Sequence, residues 1–576
     1  MKQRVAEYIA DFLVSHGITD CFTVVGGGAM YLNNALGHKD GLHCTYNHHE
    51  QASAIAAEAY GRYAGKPAIV CVTTGPGATN AITGVVCAWQ GSVPMIVLSG
   101  QVRYATSVYA SGLPLRSRGV QEFDIIGSVK NMTKYCELVK EPREIRLCLE
   151  KALYEATSGR PGPVWLDIPL DVQASIIETE NLVGFEKKLR NNDLDKSVIP
   201  RIIEKLKAAN KPLILAGNGI RTSGAHSQFI KLIDILKIPV VTTLGSVDAI
   251  STENDFFVGK CGSLGDIAGN YAVQECDLLF SIGSRLSFNV TGFDYKNFAP
   301  KAYKIISDVD KAELKKDSIN SDMKVCCDAK ELIQDLLNSI SEPLEEKTDW
   351  KIELQNKRKE FPLVLDKHYK DRQPNIYVFY ESLTKKLPED ATIVVSVGSA
   401  RTVGSKVSAI KKETRFITNS VTASMGYCLP AAIGVCVARK GKKTILITGE
   451  GSLQMNLQEL QTLVHNNCDV AVFVLNNGGY HSIRLTQKAY FEGKFVGMGE
   501  ESNDISFPSL KKIAYAYGIP FQQCKKSEEL EEIINFGINH KGLCICELKL
   551  SRDYIIEPKR NVKFSTNISG GGTTVE

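Results

Sequence analysis

No window of the chain offers the roughly 20 uninterrupted apolar residues of a spanning helix, so nothing in it reads as a membrane segment. Charge of one sign is also missing. The 68 Lys and Arg against 64 Asp and Glu leave a formal charge of +4, with basic residues scattered among acidic ones. That distribution excludes the basic track of a nucleic-acid or polyanion binder. The 16 cysteines include no Cys-x-x-Cys pair and no paired metal spacing. Cys71, Cys87, Cys428 and Cys436 stand in apolar runs, and Cys326–Cys327, Cys544 and Cys546 read as buried strand positions. This is the pattern of reduced core thiols in a cytoplasmic protein. The opening MKQRVAEYIADFLVSHG carries Glu7 and Asp11 and reads as an amphipathic helix, not as a signal peptide. Short-period repeats are absent as well.

What is present is the rhythm of a large α/β enzyme. With 576 residues there is room for about three domains of ordinary size. Apolar runs ending in Gly or polar turns alternate with helical stretches, which predicts open parallel sheets. Periodicity lapses after GRPGPVWLDIPLDVQ (159–173), where a polar region including EKKLRNNDLDKS extends to about residue 196, and again at EPLEEKTDWKIELQNKRKE (342–360). These lapses predict domains at 1–172, 196–340 and 365–552, with a mobile tail at 553–576 that ends in SGGGTTVE. The first and last thirds look alike only as strand-rich α/β modules.

The most informative local pattern is Gly449-Glu450-Gly451-Ser452 followed by Asn476-Asn477. KTILIT (443–448) reads as a buried strand, MNLQELQTLVHNN (455–467) as an amphipathic helix and DVAVFVL (469–475) as a second strand. If the two strands are parallel neighbours, Glu450 and Asn477 emerge together at the carboxyl edge of the sheet, where α/β folds bind ligands. A carboxylate and an amide oxygen suit Mg²⁺, which takes oxygen ligands and commonly shares them with substrate phosphates. Gly449 and Gly451 allow close backbone approach, and Ser452 lies near a helix start that favours anions.

The ordered turn, helix, strand and Asn-Asn resemble the thiamine-diphosphate motif of pyruvate decarboxylases and acetolactate synthases, with Glu450 where that family usually has Asp. The N-terminal third carries further matches: FTVVGGGA (22–29), TYNHHEQASAIAAEAYGRYAG (45–65) and KPAIVCVTTGPGATNAITGVVCAWQGSVPMIVLSGQ (66–101) follow the order of the pyrimidine-binding domain of acetolactate synthase. The resemblance implies a pyrimidine-binding domain, a central FAD-binding-like domain and a diphosphate- and Mg²⁺-binding domain. It implies Glu450, Asn477 and Gly479 as metal ligands. It further implies cofactor contacts from Val25, Gly26, Glu50, Pro76 and Asn80 on the pyrimidine side, and from Gly398, Ser399, Gly449, Gly451, Ser452, Gly479, Tyr480 and His481 on the diphosphate side. Glu50 is implied as the catalytic carboxyl that shares a proton with N1′ of the aminopyrimidine and so favours the imino tautomer. Met425, in TASMGYCLPAAIG (422–434), matches the apolar wedge that bends the cofactor so that its two rings meet.

Other stretches carry the resemblance unevenly. AGNG (216–219), TTLG (242–245), CGSLGDIAGNYAV (261–273), GSRLSFNVTG (283–292) and CCDA (326–329) follow the order of the domain that holds FAD in acetolactate synthases, and Arg285 remains. Ser263-Leu264 and Ser287-Phe288-Asn289 replace flavin-contacting types, so a bound FAD and a domain serving structure alone both stand as expectations. GVQEFDI (119–125) resembles a substrate-side segment and points to Gln121 as an active-site hydrogen-bonding group. Leu170 stands where acetolactate synthases often have Lys, and Thr486 near the position of their acceptor-selecting Trp. The expected activity is decarboxylation of a small 2-oxoacid, pyruvate first, with transfer of the acyl unit to a carbonyl acceptor. Simple decarboxylation and a catalytically silent assembly subunit are the alternatives. The resemblance also implies a homodimer or dimer of dimers, with one cofactor site drawn from two chains.

Overall fold

A computed structural model describes residues 2–187 and 194–557. The centre of the polar segment after the first domain and the expected tail from residue 558 onward lie outside the described residues.

Three six-stranded parallel sheets carry the chain. The first runs, edge to edge, His43–Tyr46, Asp20–Thr23, Ala68–Val72, Met95–Gln101, Pro163–Pro169 and Tyr135–Leu138. The second runs Phe257–Lys260, Val240–Thr242, Pro212–Ala216, Leu278–Ile282, Tyr303–Asp308 and Met323–Cys326. The third runs Arg415–Ile417, Thr392–Val395, Thr444–Gly449, Val470–Asn476, Cys544–Lys549 and Phe521–Cys524. Central strands such as Ala68–Val72 and Leu278–Ile282 are buried at every position, as parallel strands with both faces covered must be. Numbered within each sheet by chain order, the first and third share the order 2-1-3-4-6-5. The second has 3-2-1-4-5-6, the doubly wound order of dinucleotide folds. The two outer modules are therefore the same topology twice.

Two local expectations are corrected. The opening segment forms helix Val5–Ser15, but Lys2–Arg4 is a strand paired antiparallel with Ile176–Glu178. The helix expected over 455–467 is shorter: it runs Glu459–His465, and a break at residues 455–458 separates it from a short helix Glu450–Gln454. Asn456 lies in the break, where its Nδ2 donates to Gly426 O (2.8 Å) and Gln51 Oε1 (3.0 Å). Asn side chains bonded in this way compete with continuous helix.

Compactness does not follow the sequence thirds. One unit takes residues 1–189 together with 421–444 and 455–470, and the other takes 190–420, 445–454 and 471–576. In the first, helix Cys428–Ala438 lies so close to helix Glu50–Ala64 that a Cβ at Gly434 would strike the Ala56 carbonyl. Tyr427 Oη donates to the buried Glu58 carboxylate at 2.7 Å, and Arg62 closes on the same carboxylate. In the second unit, buried Asp248 accepts from Arg415 Nε at 2.8 Å and from Phe416 N–H at 3.1 Å, joining the second sheet's loops to the third sheet's edge strand.

Candidate functional site

Two clusters of expected residues form, one in each unit. In the first unit, helix Glu50–Ala64 begins after His49, an extended N-cap whose ring accepts from Gln51 N–H at 3.1 Å. Helix Pro76–Gly91 begins beside it, and Asn80 Nδ2 donates to Glu50 Oε2 at 3.0 Å, fixing that carboxylate. A Cβ at Gly77 would stand 3.4 Å from Glu50 Oε1. Gly75 turns at φ +63°, and a Cβ there would strike the Gln121 carbonyl. Gln121 is thereby placed beside the Gly75–Pro76 turn, exposed, and at φ +62°, a conformation that costs a non-glycine residue energy. Its neighbour Glu122 is buried and accepts from the amides of Val108, Arg118 and Gly119 at 2.6–2.9 Å, so it organises the loop that presents Gln121. Val25 is exposed, whereas Gly26 is pressed against Thr73, 2.5 Å from where a Cβ would sit.

Met425, half-buried, belongs to this same unit. Its turn is tied to the start of the Glu50 helix through Asn456, which bonds both Gly426 and Gln51. A second tie is Glu459, fully buried, whose oxygens accept from Asn47 Nδ2 and His48 N–H, both at 3.1 Å. These are the residues leading into His49 and Glu50. Neither Asn456 nor Glu459 was singled out from the sequence, because each acts on partners about 400 positions away.

In the second unit, Glu450 and Asn477 do emerge together. Glu450 is 4% exposed, and its Oε1 accepts from Gly479 N–H at 2.7 Å and Asn477 N–H at 3.2 Å. Burial pushes its carboxyl up to about 7, against the lowering effect of these amides. Asn477 Oδ1 accepts from Arg484 Nη1 at 3.0 Å, which leaves one lone pair, and Arg484 is itself paired with Glu501 at 2.7 Å. Arg484 was also unforeseen. The Glu450 carboxylate and the Asn477 amide oxygen are oxygen donors at adjacent strand ends, and a Cβ at Gly449 would meet nothing closer than 3.9 Å. The donors and the open approach fit a hard divalent cation with a phosphate beside it. A cation here would displace the proton that burial favours.

The remaining diphosphate-side residues interlock. Gly398 turns at φ +67° into helix Ser399–Val407, and Ser399 Oγ lies 2.8 Å from His481 Nδ1. His481 Nε2 lies 3.0 Å from Tyr554 O, and its ring stacks on Tyr554 at 3.7 Å. Burial pushes His481 down to about 4, so it is a neutral hydrogen-bonding group near pH 7. Ser452 is in contact with Ser396 Oγ at 2.7 Å, and Tyr480 packs over Gly451 so closely that a Cβ there would run into the ring.

The middle sheet places Gly217, Gly219 and Gly283 at its switch point, but against one another: a Cβ at Gly219 would stand 2.7 Å from Gly283 Cα. Chain packing alone accounts for these glycines. The substituted positions also satisfy each other, since Asn289 O accepts from Ser263 N–H (2.9 Å) and Oγ (3.2 Å), and Phe288 stacks on Phe293 at 5.4 Å.

Replacing Glu459 with Leu strands two donors at the entrance to the Glu50 helix. We expect a loss of about 1–3 kcal/mol for each donor left unpaired. Hydrogen exchange should show protection lost first at the amides of residues 48–53; unchanged exchange there would remove Glu459 from the support of Glu50.

Comparison with known proteins joins these clusters to one family. The family model of the thiamine pyrophosphate enzyme N-terminal binding domain matches residues 3–127, that of the central domain 199–336, and that of the C-terminal binding domain 396–548. The chain is 30% identical to the acetolactate synthase isozyme 3 large subunit of Escherichia coli over 91% of its own length and 90% of the relative's. It is 32% identical to a probable acetolactate synthase large subunit of Methanocaldococcus jannaschii, over 92% and 89%. It is 30% identical to the chloroplastic acetolactate synthase of Arabidopsis thaliana, over 94% and 80%. No described helix is long and apolar enough to cross a membrane. With all three domain models matched in order and relatives aligned over nine-tenths of its length, the chain belongs to the thiamine pyrophosphate enzymes and is similar to the large subunits of acetolactate synthase.

Proposed function

We propose that this enzyme decarboxylates pyruvate or a close 2-oxoacid and joins the two-carbon acyl unit to a carbonyl acceptor, using thiamine diphosphate and Mg²⁺. The observation that carries this reading is the buried Glu450 carboxylate gathered with Asn477 and the Gly479 backbone at adjacent strand ends. Glu450, Asn477 and the Gly479 carbonyl hold the cation, and Gly398, Ser399, Gly449, Gly451 and Ser452 supply the diphosphate surroundings. The bound cofactor supplies the electron sink for loss of CO₂. Glu50 holds a proton toward the pyrimidine ring, its carboxylate oriented by Asn80. Met425 supplies the apolar wedge, and Tyr480 and His481 line the diphosphate side.

The relatives' name, acetolactate synthase, supports pyruvate as donor and carboligation over simple decarboxylation. Flavin is not part of this reading, because Ser263, Phe288 and Asn289 are engaged within the chain itself. A homodimer is, because Leu113, Leu115, Val120 and Phe123 of the first unit are exposed apolar side chains suited to cover by a second copy. Cofactor analysis of the purified protein should find thiamine diphosphate and Mg²⁺ without flavin, and sedimentation should give twice the chain mass. Stoichiometric flavin or a stable active monomer would correct the respective part.

Glu50→Gln should leave cofactor affinity nearly unchanged while slowing CO₂ release from pyruvate about 10²-fold or more, the scale of a positioned acid–base group. Wild-type turnover in the variant would take Glu50 out of the mechanism.

The acceptor is where the chain departs from its relatives. Leu170 opens the helix after strand Pro163–Pro169, and Thr486 lies on helix His481–Tyr490 with its hydroxyl bonded back to Ser482 O at 3.0 Å. A cation at position 170 would attract the carboxylate of a second 2-oxoacid, and a large aromatic at 486 would narrow its surroundings. Without them the enzyme accepts a bulkier, uncharged aldehyde or ketone, a keto-sugar among them. In competition at fixed pyruvate donor, wild type should favour neutral acceptors, and Leu170→Lys with Thr486→Trp should shift the preference toward pyruvate by roughly 10-fold or more. Efficient acetolactate formation by wild type, with every neutral acceptor ignored, refutes this specificity.

A further inference from the structure

The second unit also holds a half-open pocket of about 290 Å³ beside the edge strand Phe257–Lys260, helix Thr348–Glu360 and the end of helix Ser399–Val407. Three cations face it. Lys260 is 4% exposed, and its Nζ donates to Lys406 O at 2.9 Å. Lys406 is 6% exposed, and its Nζ donates to Glu557 O at 3.3 Å. Arg358 lies over the Phe257 ring and donates to the carbonyls of Phe257 (2.8 Å) and Thr252 (3.4 Å). Among the described residues, none of the three has a carboxylate at ion-pair distance.

Two acids, Asp266 and Glu381, line the same pocket but are committed to other donors. Asp266 accepts from the amides of Lys260 and Gly269, both at 2.7 Å, and caps helix Ile267–Glu275. Glu381 is paired with Lys385 at 2.8 Å and also bonds Tyr369. The Glu557 carboxylate is paired with Lys367. Each lysine ammonium has three donors and spends one on a backbone carbonyl. A buried ammonium without an anionic partner is costly, and burial pushes both lysines down to about 8 although Asp266 opposes the shift.

We propose that this cavity binds a small phosphate-bearing dianion, held by Lys260, Lys406 and Arg358. Two ammoniums and one guanidinium approach from different elements, which suits a tetrahedral acceptor with several oxygens better than a planar one. Two negative charges would offset the surplus that one Asp leaves. The cavity exceeds the size of phosphate itself, so a phosphate monoester with a short organic group fits as well as the free ion. Lys406 stands at the far end of the helix that Ser399 opens, and the proposal does not depend on the proposed reaction.

The test is calorimetric titration of the full-length enzyme, saturated with thiamine diphosphate and Mg²⁺ so that the diphosphate side is filled. Inorganic phosphate, glycerol phosphate and succinate are titrated into wild type and into Lys260→Met with Lys406→Gln. Saturable binding of a phosphate species to wild type, weakened at least about 10-fold in the variant, is expected. Tighter binding of the ester shows that an organic group is read, and equal binding shows that the free ion suffices. The variant without ligand should be at least as heat-stable as wild type, since two unpaired buried charges are gone. Should it instead unfold, Arg358→Gln, half-exposed, takes its place with the same expectation. No phosphate binding, equal binding in wild type and variants, or binding of succinate alone would overturn the proposal.

Discussion

A carboxylate buried at the end of a strand must find donors, and Glu450 finds them on the neighbouring strand. Its Oε1 reaches the amides of both Asn477 and Gly479, which requires Thr444–Gly449 and Val470–Asn476 to be adjacent and in register. It also requires the chain after Asn477 to turn back through Gly478 at φ +75° and Gly479 at φ +157°. Gly479 then bridges Gly499, Tyr480 N–H donates to Met498 O at 2.7 Å, and the Tyr480 ring comes to rest on Gly451. One residue further, His481 meets Ser399 across from the first strand of the same sheet. The length of the Glu450 side chain suits this arrangement, because it carries the oxygens toward the next strand. Glu450 is thus accommodated by local hydrogen bonding, with its carboxylate kept at the strand end.

What the sequence displayed was whatever depends on neighbours in the chain. KTILIT and DVAVFVL were legible as strands because they are short apolar runs bounded by polar or glycine turns, and parallel pairing then forces their carboxyl ends together. The supports of the site were not legible. Glu459 looks like an ordinary helix residue until its partners at Asn47 and His48 are seen, and Asn456 breaks a helix whose amphipathic pattern runs straight through it. Gln121 shows no sign of its positive φ, since nothing but the packing of its carbonyl against Gly75 imposes it. The shared 2-1-3-4-6-5 order escaped notice because strand order is set by crossover connections, whereas side-chain patterning reports only which residues are buried.

The same distinction explains where the chain can change its chemistry cheaply. Residues on the proposed cofactor side are held by buried hydrogen bonds: Glu450 by two amides, His481 by the Tyr554 carbonyl, and the approach to Glu50 by Glu459 on the His48 amide and Asn456 on the Gln51 side chain. Altering any of them leaves a buried donor or acceptor without a partner, at a cost of about 1–3 kcal/mol each. Leu170 and Thr486 carry no such obligations. Leu170 begins a five-residue helix and is only half-buried, and the Thr486 hydroxyl bonds to its own helix. On the proposed reading, acceptor choice can therefore move at these two positions while the cofactor residues keep their bonds. The proposed function thus sets a rigid, hydrogen-bonded frame for the cofactor against specificity carried by side chains whose replacement costs little stability.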